Sequence, residues 1–216
     1  IYERIKKIAK GAALMTETEL EIQFIDALYN IVPNKTIAEL VVKNMREIGG
    51  PEWSEEELEF AEEIGSNFDK EHKMDTLRKL KIPNPEKYRD VDLMTDIIDP
   101  IGEGETSAGS SDVGDISWIT PTVEFGTACN VLGAPGHSWA FVACSGSSIG
   151  HKSLVFAAKT MAGAAVELFT DEELREKAKE EHGERLKGRT YETPLPEGVD
   201  VPLEMAEENW EKVPKQ

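Results

Sequence analysis

Four histidines occur in this 216-residue chain, and two of them stand where a side chain could do chemistry. His137 lies in G-A-P-G-H-S-W-A-F (133–141), a glycine- and proline-bearing turn that leads into an apolar run. A neutral imidazole is a common zinc ligand and general base, and a turn can aim it at a pocket. A turn histidine can equally be a structural residue bonded to backbone. Zinc requires three or four ligands, and no neighbour of His137 has suitable spacing, so His137 alone cannot hold a metal. The second candidate pair is His151 and Lys152, in the first turn expected after S-G-S-S-I-G (145–150). Cations oppose the dipole at a helix N-terminus. A positive pair there, beside free N–H groups and two serines, would suit a carboxylate anion; otherwise both point into solvent. The third candidate is S-S-D-V-G-D (110–115), where Ser111, Asp112 and Asp115 serve either a site or an ordinary turn or cap.

Other groups read as unremarkable. The pairs Glu62-Glu63, Glu172-Glu173 and Glu180-Glu181, with His72 and His182, fall on charged helical patterns and are expected in solvent. Cys129 and Cys144 are too few for a disulfide framework, lack zinc spacing and sit in apolar runs, so buried thiols in a reducing, cytoplasmic setting are expected. G-E-G-E-T-S-A-G (102–109) lacks the lysine of a phosphate loop, and no nucleophile elbow, dinucleotide fingerprint or H-E-x-x-H occurs. A net charge of −18 opposes nucleic acid and anionic membrane as partners. The most apolar stretch, 153–169, carries Lys159 and Glu167 and reads as too short and too interrupted to span a bilayer.

The elements that must position these residues alternate in type. Residues 2–10 pattern as a short amphipathic helix with Ile5 and Ile8 on one face, ending near Gly11. T-E-L-E-I-Q-F-I-D (18–26) alternates as a half-exposed strand. A helix is expected over 35–48, stopped by Gly49-Gly50, and another from the Ser54/Glu57 capping box to about 67. The region 69–93 reads as a charged excursion with one or two helical turns. Residues 93–100, 122–132 and 140–144 read as strands or extended segments around the glycine-rich loop 101–115. A helix over 149–168, apolar on nearly all sides, is expected to be buried on most of them. Thr170 and Glu173 form a second capping-box pattern opening a surface helix to about 182, and the proline-bearing tail is irregular. The pattern as a whole is α/β. A helix with no visible start at Ile1, next to a strand with no partners, suggests a piece of something longer.

G-S-S-D-V-G-D-I-S-W-I-T-P-T-V (109–123), G-A-P-G-H-S-W (133–139), S-I-G-H-K-S-L-V-F-A-A-K-T-M-A (148–162) and A-L-Y-N-I-V-P-N (27–34) together resemble the C-terminal part of the aminobenzoyl-glutamate utilisation protein B family. That family is an amidohydrolase-like branch of the metallopeptidase superfamily holding the aminoacylases and carboxypeptidase G. The resemblance implies a helix-flanked mixed-sheet catalytic domain interrupted by a ferredoxin-like lid that dimerises. Residues 1–27 would be the end of the lid and 28–216 the C-terminal part of the catalytic domain. It implies two divalent metal ions, zinc or manganese, in the full-length enzyme, with His137 as one ligand and His151 as the competing assignment. Ser111 and Asp112 would line the pocket of a small amide substrate, such as p-aminobenzoyl-glutamate or another N-acyl amino acid. His151 and Lys152 would receive its carboxylate. The part lacking from this chain would supply most ligands and the glutamate that activates water, so the chain alone would be inactive. A non-catalytic acidic binding or assembly module is the alternative.

Overall fold

The computed structural model describes residues 1–106, 109–199 and 203. They fall into two compact units, one of residues 1–28 with the chain from 192 onward, the other of residues 29–191. The first unit contains α1 (Tyr2–Thr16), which no described residue buries. It runs past Gly11, whose cost of about 1 kcal/mol relative to alanine is too small to stop a helix by itself. It ends instead where Glu17 turns left-handed at φ 55°. Ile5 and Ile8, on one face of it, are 54% and 70% exposed. Residues 18–26, expected as a strand, follow an irregular path. Strand N–H and C=O groups need a neighbouring strand, and the described residues provide none here.

The second unit is helical. It comprises α2 (Lys35–Ile48), α3 (Glu55–Gly65), α4 (Lys70–Lys79), a 3₁₀ turn (Pro85–Tyr88), α5 (Val113–Ile119), α6 (Trp139–Ser145), α7 (Ser148–Thr170) and α8 (Glu172–Leu186). The charged excursion is thus more regular than its sequence suggests. Asp69 caps α4 by accepting from the Glu71 N–H, and Met74 and Leu77 bury against Ile82 and Tyr88. The segments 93–100 and 122–132 form no ladder. A single parallel bridge, Pro33 to Thr122, is the sheet-like contact found among the described residues.

Residues 140–144, expected extended, form most of α6. Ser138 decides this: its Oγ accepts from the Phe141 N–H at 3.4 Å and donates to the Pro135 carbonyl at 2.7 Å, so the apolar run starts a turn with its cap in place. Cys144 is consequently buried on a helix, while Cys129 is half-buried.

Three apolar clusters hold the unit together. One joins Ala61 and Ile64 of α3 to Ala140 and Cys144 of α6 and Ile149 of α7, with Leu93 and Val131 between them. A second joins Leu40, Val41 and Met45 of α2 to Phe156 and Ala164 of α7. The third is the α4 cluster. Helix α7 is therefore central, but it is not buried on most sides as its composition suggests. Its inward face carries small and polar residues, Gly150, Ser153, Thr160 and Ala164, with Ile149 and Phe156. Leu154, Met161 and Phe169 are 68%, 61% and 84% exposed. By length and composition α7 could cross a membrane, yet this inward face is committed to protein.

The start of α8 also differs from expectation. Thr170 ends α7, its hydroxyl bonded to the Val166 carbonyl at 2.8 Å, and Asp171 caps α8 by accepting from the Leu174 N–H at 2.9 Å. Helix α8 then contributes two groups that composition had placed in solvent. His182 is buried, and Glu181 is half-buried with its carboxylate over the first turn of α2. Glu181 accepts from the Lys35 and Thr36 N–H groups at 2.7 and 2.8 Å, the Thr36 hydroxyl at 2.8 Å and Arg185 Nε at 2.8 Å. Asn34 completes the cap, accepting from the Ile37 N–H and donating to the Ala178 carbonyl.

Burial alone would raise the Glu181 carboxyl, but these donors outweigh it and hold it at about 2. A carboxyl depressed in the folded state contributes stability above its ordinary value near 4.5 and loses it as pH falls through 2. Denaturation followed between pH 5 and 2 should therefore show a stability loss that Glu181→Gln makes shallower. Glu181→Ala should cost about 1–3 kcal/mol at neutral pH by stranding two helix N–H groups. A pH profile of the glutamine variant identical to that of the parent would refute this role.

Candidate functional site

Helix α5 explains much of the S-D-V-G-D-x-S-W pattern. Ser111 Oγ accepts from the Val113 N–H at 3.2 Å and starts the turn. Asp112 precedes the helix without a capping bond and is exposed. The next residues face the segment 29–32. A Cβ on Gly114 would lie 2.0 Å from the Tyr29 carbonyl oxygen, so only glycine admits the approach. Asp115 accepts from the Tyr29 N–H at 3.2 Å, and Ser117 Oγ accepts from the Val32 N–H at 2.8 Å. Trp118 Nε1 donates to the Asn30 carbonyl at 2.9 Å. The Tyr29 ring lies 4.4 Å from the Trp118 ring, and the Arg189 guanidinium covers the same indole at 4.8 Å. His182 Nε2 donates to the Ser117 carbonyl at 2.8 Å, which fixes its tautomer. The inner residues of the motif thus clamp the backbone of 29–32, while Ser111 and Asp112 stay at the accessible end.

The α6–α7 corner carries the other candidates. His137 is exposed and left-handed at φ 55°, one residue before the Ser138 cap. Such a conformation in a non-glycine residue is uncommon and sets the direction of the side chain through a fixed turn. Trp139, 57% exposed, stacks on Phe68 with centroids 6.1 Å apart. Ser147 caps α7 by accepting from the Ile149 N–H at 3.2 Å. Gly150 is required because a Cβ would meet the Ser145 carbonyl oxygen at 2.2 Å. His151 is exposed in this first turn.

Lys152 is not a free cation. Its ammonium donates to Glu57 Oε2 at 2.7 Å and to the Glu52 carbonyl at 2.8 Å, and lies 5.9 Å from the Trp53 ring centroid. Glu57 is 6% exposed and closes the capping box of α3 through the Ser54 N–H at 2.7 Å. Burial would raise its carboxyl, but bonds from Lys152, Ser148 and the Ser54 backbone bring it down to about 2. The carboxylate that Lys152 meets is that of Glu57. It belongs to the chain itself.

A cavity of about 730 Å³ opens between α3 and α4, lined by residues that include Gly65, Lys73, Asp92 and Leu132. Another of about 640 Å³ is lined by Pro33, Lys35, Ile101, Val123 and Arg185 among others. Neither is lined by His137, His151, Lys152, Ser111 or Asp112. Among the described residues no group of three His, Cys, Asp or Glu side chains is placed to hold a metal ion. The donor set present is therefore too small to hold two divalent ions by itself; His137 and His151 are single exposed donors. Sequence inspection missed Ser117, His182 and Glu181. Their signal was weak because polar residues on a charged or short helix give no clue to which backbone they will meet.

The chain is 34% identical over 206 residues, 92% of its length, to a subunit of the p-aminobenzoyl-glutamate hydrolase of Escherichia coli (strain K12). The resemblance carried by the motifs therefore extends over nearly the whole chain. The chain spans 43% of that relative's length. No protein-family model matches it, and no solved structure does.

Three substitutions check this geometry. Gly114→Ala should destabilise the protein by about 1–3 kcal/mol through the clash with the Tyr29 carbonyl; an unchanged melting temperature would exclude the clamp. Lys152→Ala should cost about 1–3 kcal/mol by leaving Glu57 buried and underpaired. In combination with Glu57→Gln it should cost less than the sum of the two single changes. Strict additivity would show that the pair is not coupled.

Proposed function

We propose that the chain is part of a hydrolase that cleaves the amide bond of p-aminobenzoyl-glutamate or a similar N-acyl amino acid. The observation that carries this reading is the 34% identity, across 92% of the chain, to one subunit of a p-aminobenzoyl-glutamate hydrolase. In the whole protein the helices would flank a mixed sheet, a reading supported by the parallel Pro33–Thr122 bridge. The enzyme would be metal-dependent, with two divalent ions, zinc or manganese, that polarise a carbonyl and lower the pKa of water when bound.

The described residues of this chain do not suffice to hold those ions. Their own contribution is positional. His137, fixed on its turn by Pro135 and Ser138, offers one imidazole donor that further ligands would have to join. His151, exposed at the start of α7, is the competing donor. Ser111 and Asp112, at the accessible end of the α5 clamp, would line the substrate pocket. Lys152, already bonded to Glu57, would act on a substrate carboxylate only by giving up that partner. Assembly with other subunits, which the relative's name implies for that protein, would be part of the same reading. The alternative is a non-catalytic acidic module, in which His137 is a structural turn residue.

The test is to assay the full-length protein for release of p-aminobenzoate, alongside metal analysis of the parent and of His137→Ala. Activity should fall about 100-fold or more in the variant, with loss of bound metal. Retained metal and activity in His137→Ala would remove the ligand role. Absence of turnover by the parent on p-aminobenzoyl-glutamate and other N-acyl amino acids would favour the non-catalytic module.

A further inference from the structure

The outward face of α7 is the feature that neither the clamp nor the corner uses. Leu154 and Val155, Met161, Val166 and Phe169 recur at helical spacing and are 68%, 49%, 61%, 61% and 84% exposed. Ala158, Ala162 and the half-buried Ala165 lie between them. The stripe extends from 154 to 169, about 22 Å at 1.5 Å per residue. Soluble helices place large apolar residues inward and polar ones outward. On α7 the outward face carries most of the large apolar residues, while Gly150, Ser153, Thr160 and Ala164 join Ile149 and Phe156 on the buried one. Scattered exposed leucines need no explanation, but a continuous apolar stripe does.

We infer that this stripe is an internal interface of a longer polypeptide, covered by an apolar surface of the part that this chain does not span. Three observations select that occupant. The chain spans 43% of the length of its relative, so a homologous protein of that length has more than enough further polypeptide to cover one helix face. The chain carries a net charge of −18, so two copies brought together must overcome strong mutual repulsion. Within the stripe, 154–169, the charged residues are Lys159 and Glu167, and Glu167 is already bonded to Lys43 and Asn44. The covering surface is thus apolar with a neutral or acidic rim. A membrane would cover the stripe as well, but an anionic one is opposed by the same net charge. This inference rests on the length of the relative and not on the hydrolase activity.

The test uses the full-length protein with Leu154→Cys, Met161→Cys and Phe169→Cys introduced singly, and Lys179→Cys on the exposed face of α8 as reference. Maleimide labelling is read site by site by mass spectrometry, which separates the introduced thiols from Cys129 and Cys144. The three stripe positions should react about ten-fold or more slowly than Lys179→Cys. That protection should persist on dilution and without lipid. Labelling at the reference rate would overturn the inference. Protection lost on dilution as a dimer dissociates would assign the face to a second copy instead. Protection that appears only with neutral-lipid vesicles would assign it to a membrane. A reading frame that encodes no further polypeptide would also overturn it.

Discussion

The second unit depends on one constraint: buried backbone N–H and C=O groups must find partners, and little of this backbone lies in a ladder. Side chains supply them. Asp115 and Ser117 take the N–H groups of Tyr29 and Val32, and Trp118 gives to the Asn30 carbonyl. Asn34 and Glu181 take the first N–H groups of α2. Lys73, almost wholly buried, gives to the Val91 carbonyl at 3.0 Å. Most of these bonds join segments far apart in sequence, so the irregular connections are tied to the helices by specific side chains.

A second consequence follows for α7. Because α2 and α6 approach it closely, its inward face must be small. A Cβ on Gly163 would lie 2.2 Å from the Asn44 side-chain oxygen, and Gly150 is equally confined by the Ser145 carbonyl. Asn44 is occupied on the same side, giving to the Leu40 carbonyl at 3.0 Å and to Glu167 at 2.7 Å. Close packing of small residues, with Phe156 among them, brings α2 and α7 together, and Leu154, Val155, Met161, Val166 and Phe169 are left facing outward. The candidate residues stand on this frame: His137 and His151 flank the short helix α6, and Ser111 and Asp112 stand at the start of α5.

Local signals were legible. The Ser54/Glu57 capping box is present as read, with α3 behind it, and α2 covers the span 35–48 that its periodicity marks. These features depend on residues three or four apart, which a linear reading can inspect. The 140–144 segment was misleading because an apolar run of that length suits a strand or a helix, and the Ser138 cap decides between them. Glu181 and His182 were misleading for another reason: a charged helix pattern shows that one face is solvated, not which of its polar residues turns inward.

The sequence by itself determined the starts of α2 and α3 and the resemblance carried by the S-D-V-G-D-x-S-W, G-A-P-G-H-S-W and H-K patterns. Their chemistry is local or is carried by residue identity. Only the tertiary structure decided that Lys152 is already matched to Glu57, that Ser117 and His182 join α5 to α8, and that the apolar side of α7 faces outward. These outcomes depend on which distant backbone and side-chain groups burial brings within about 3 Å, a relation that spacing along the chain does not encode.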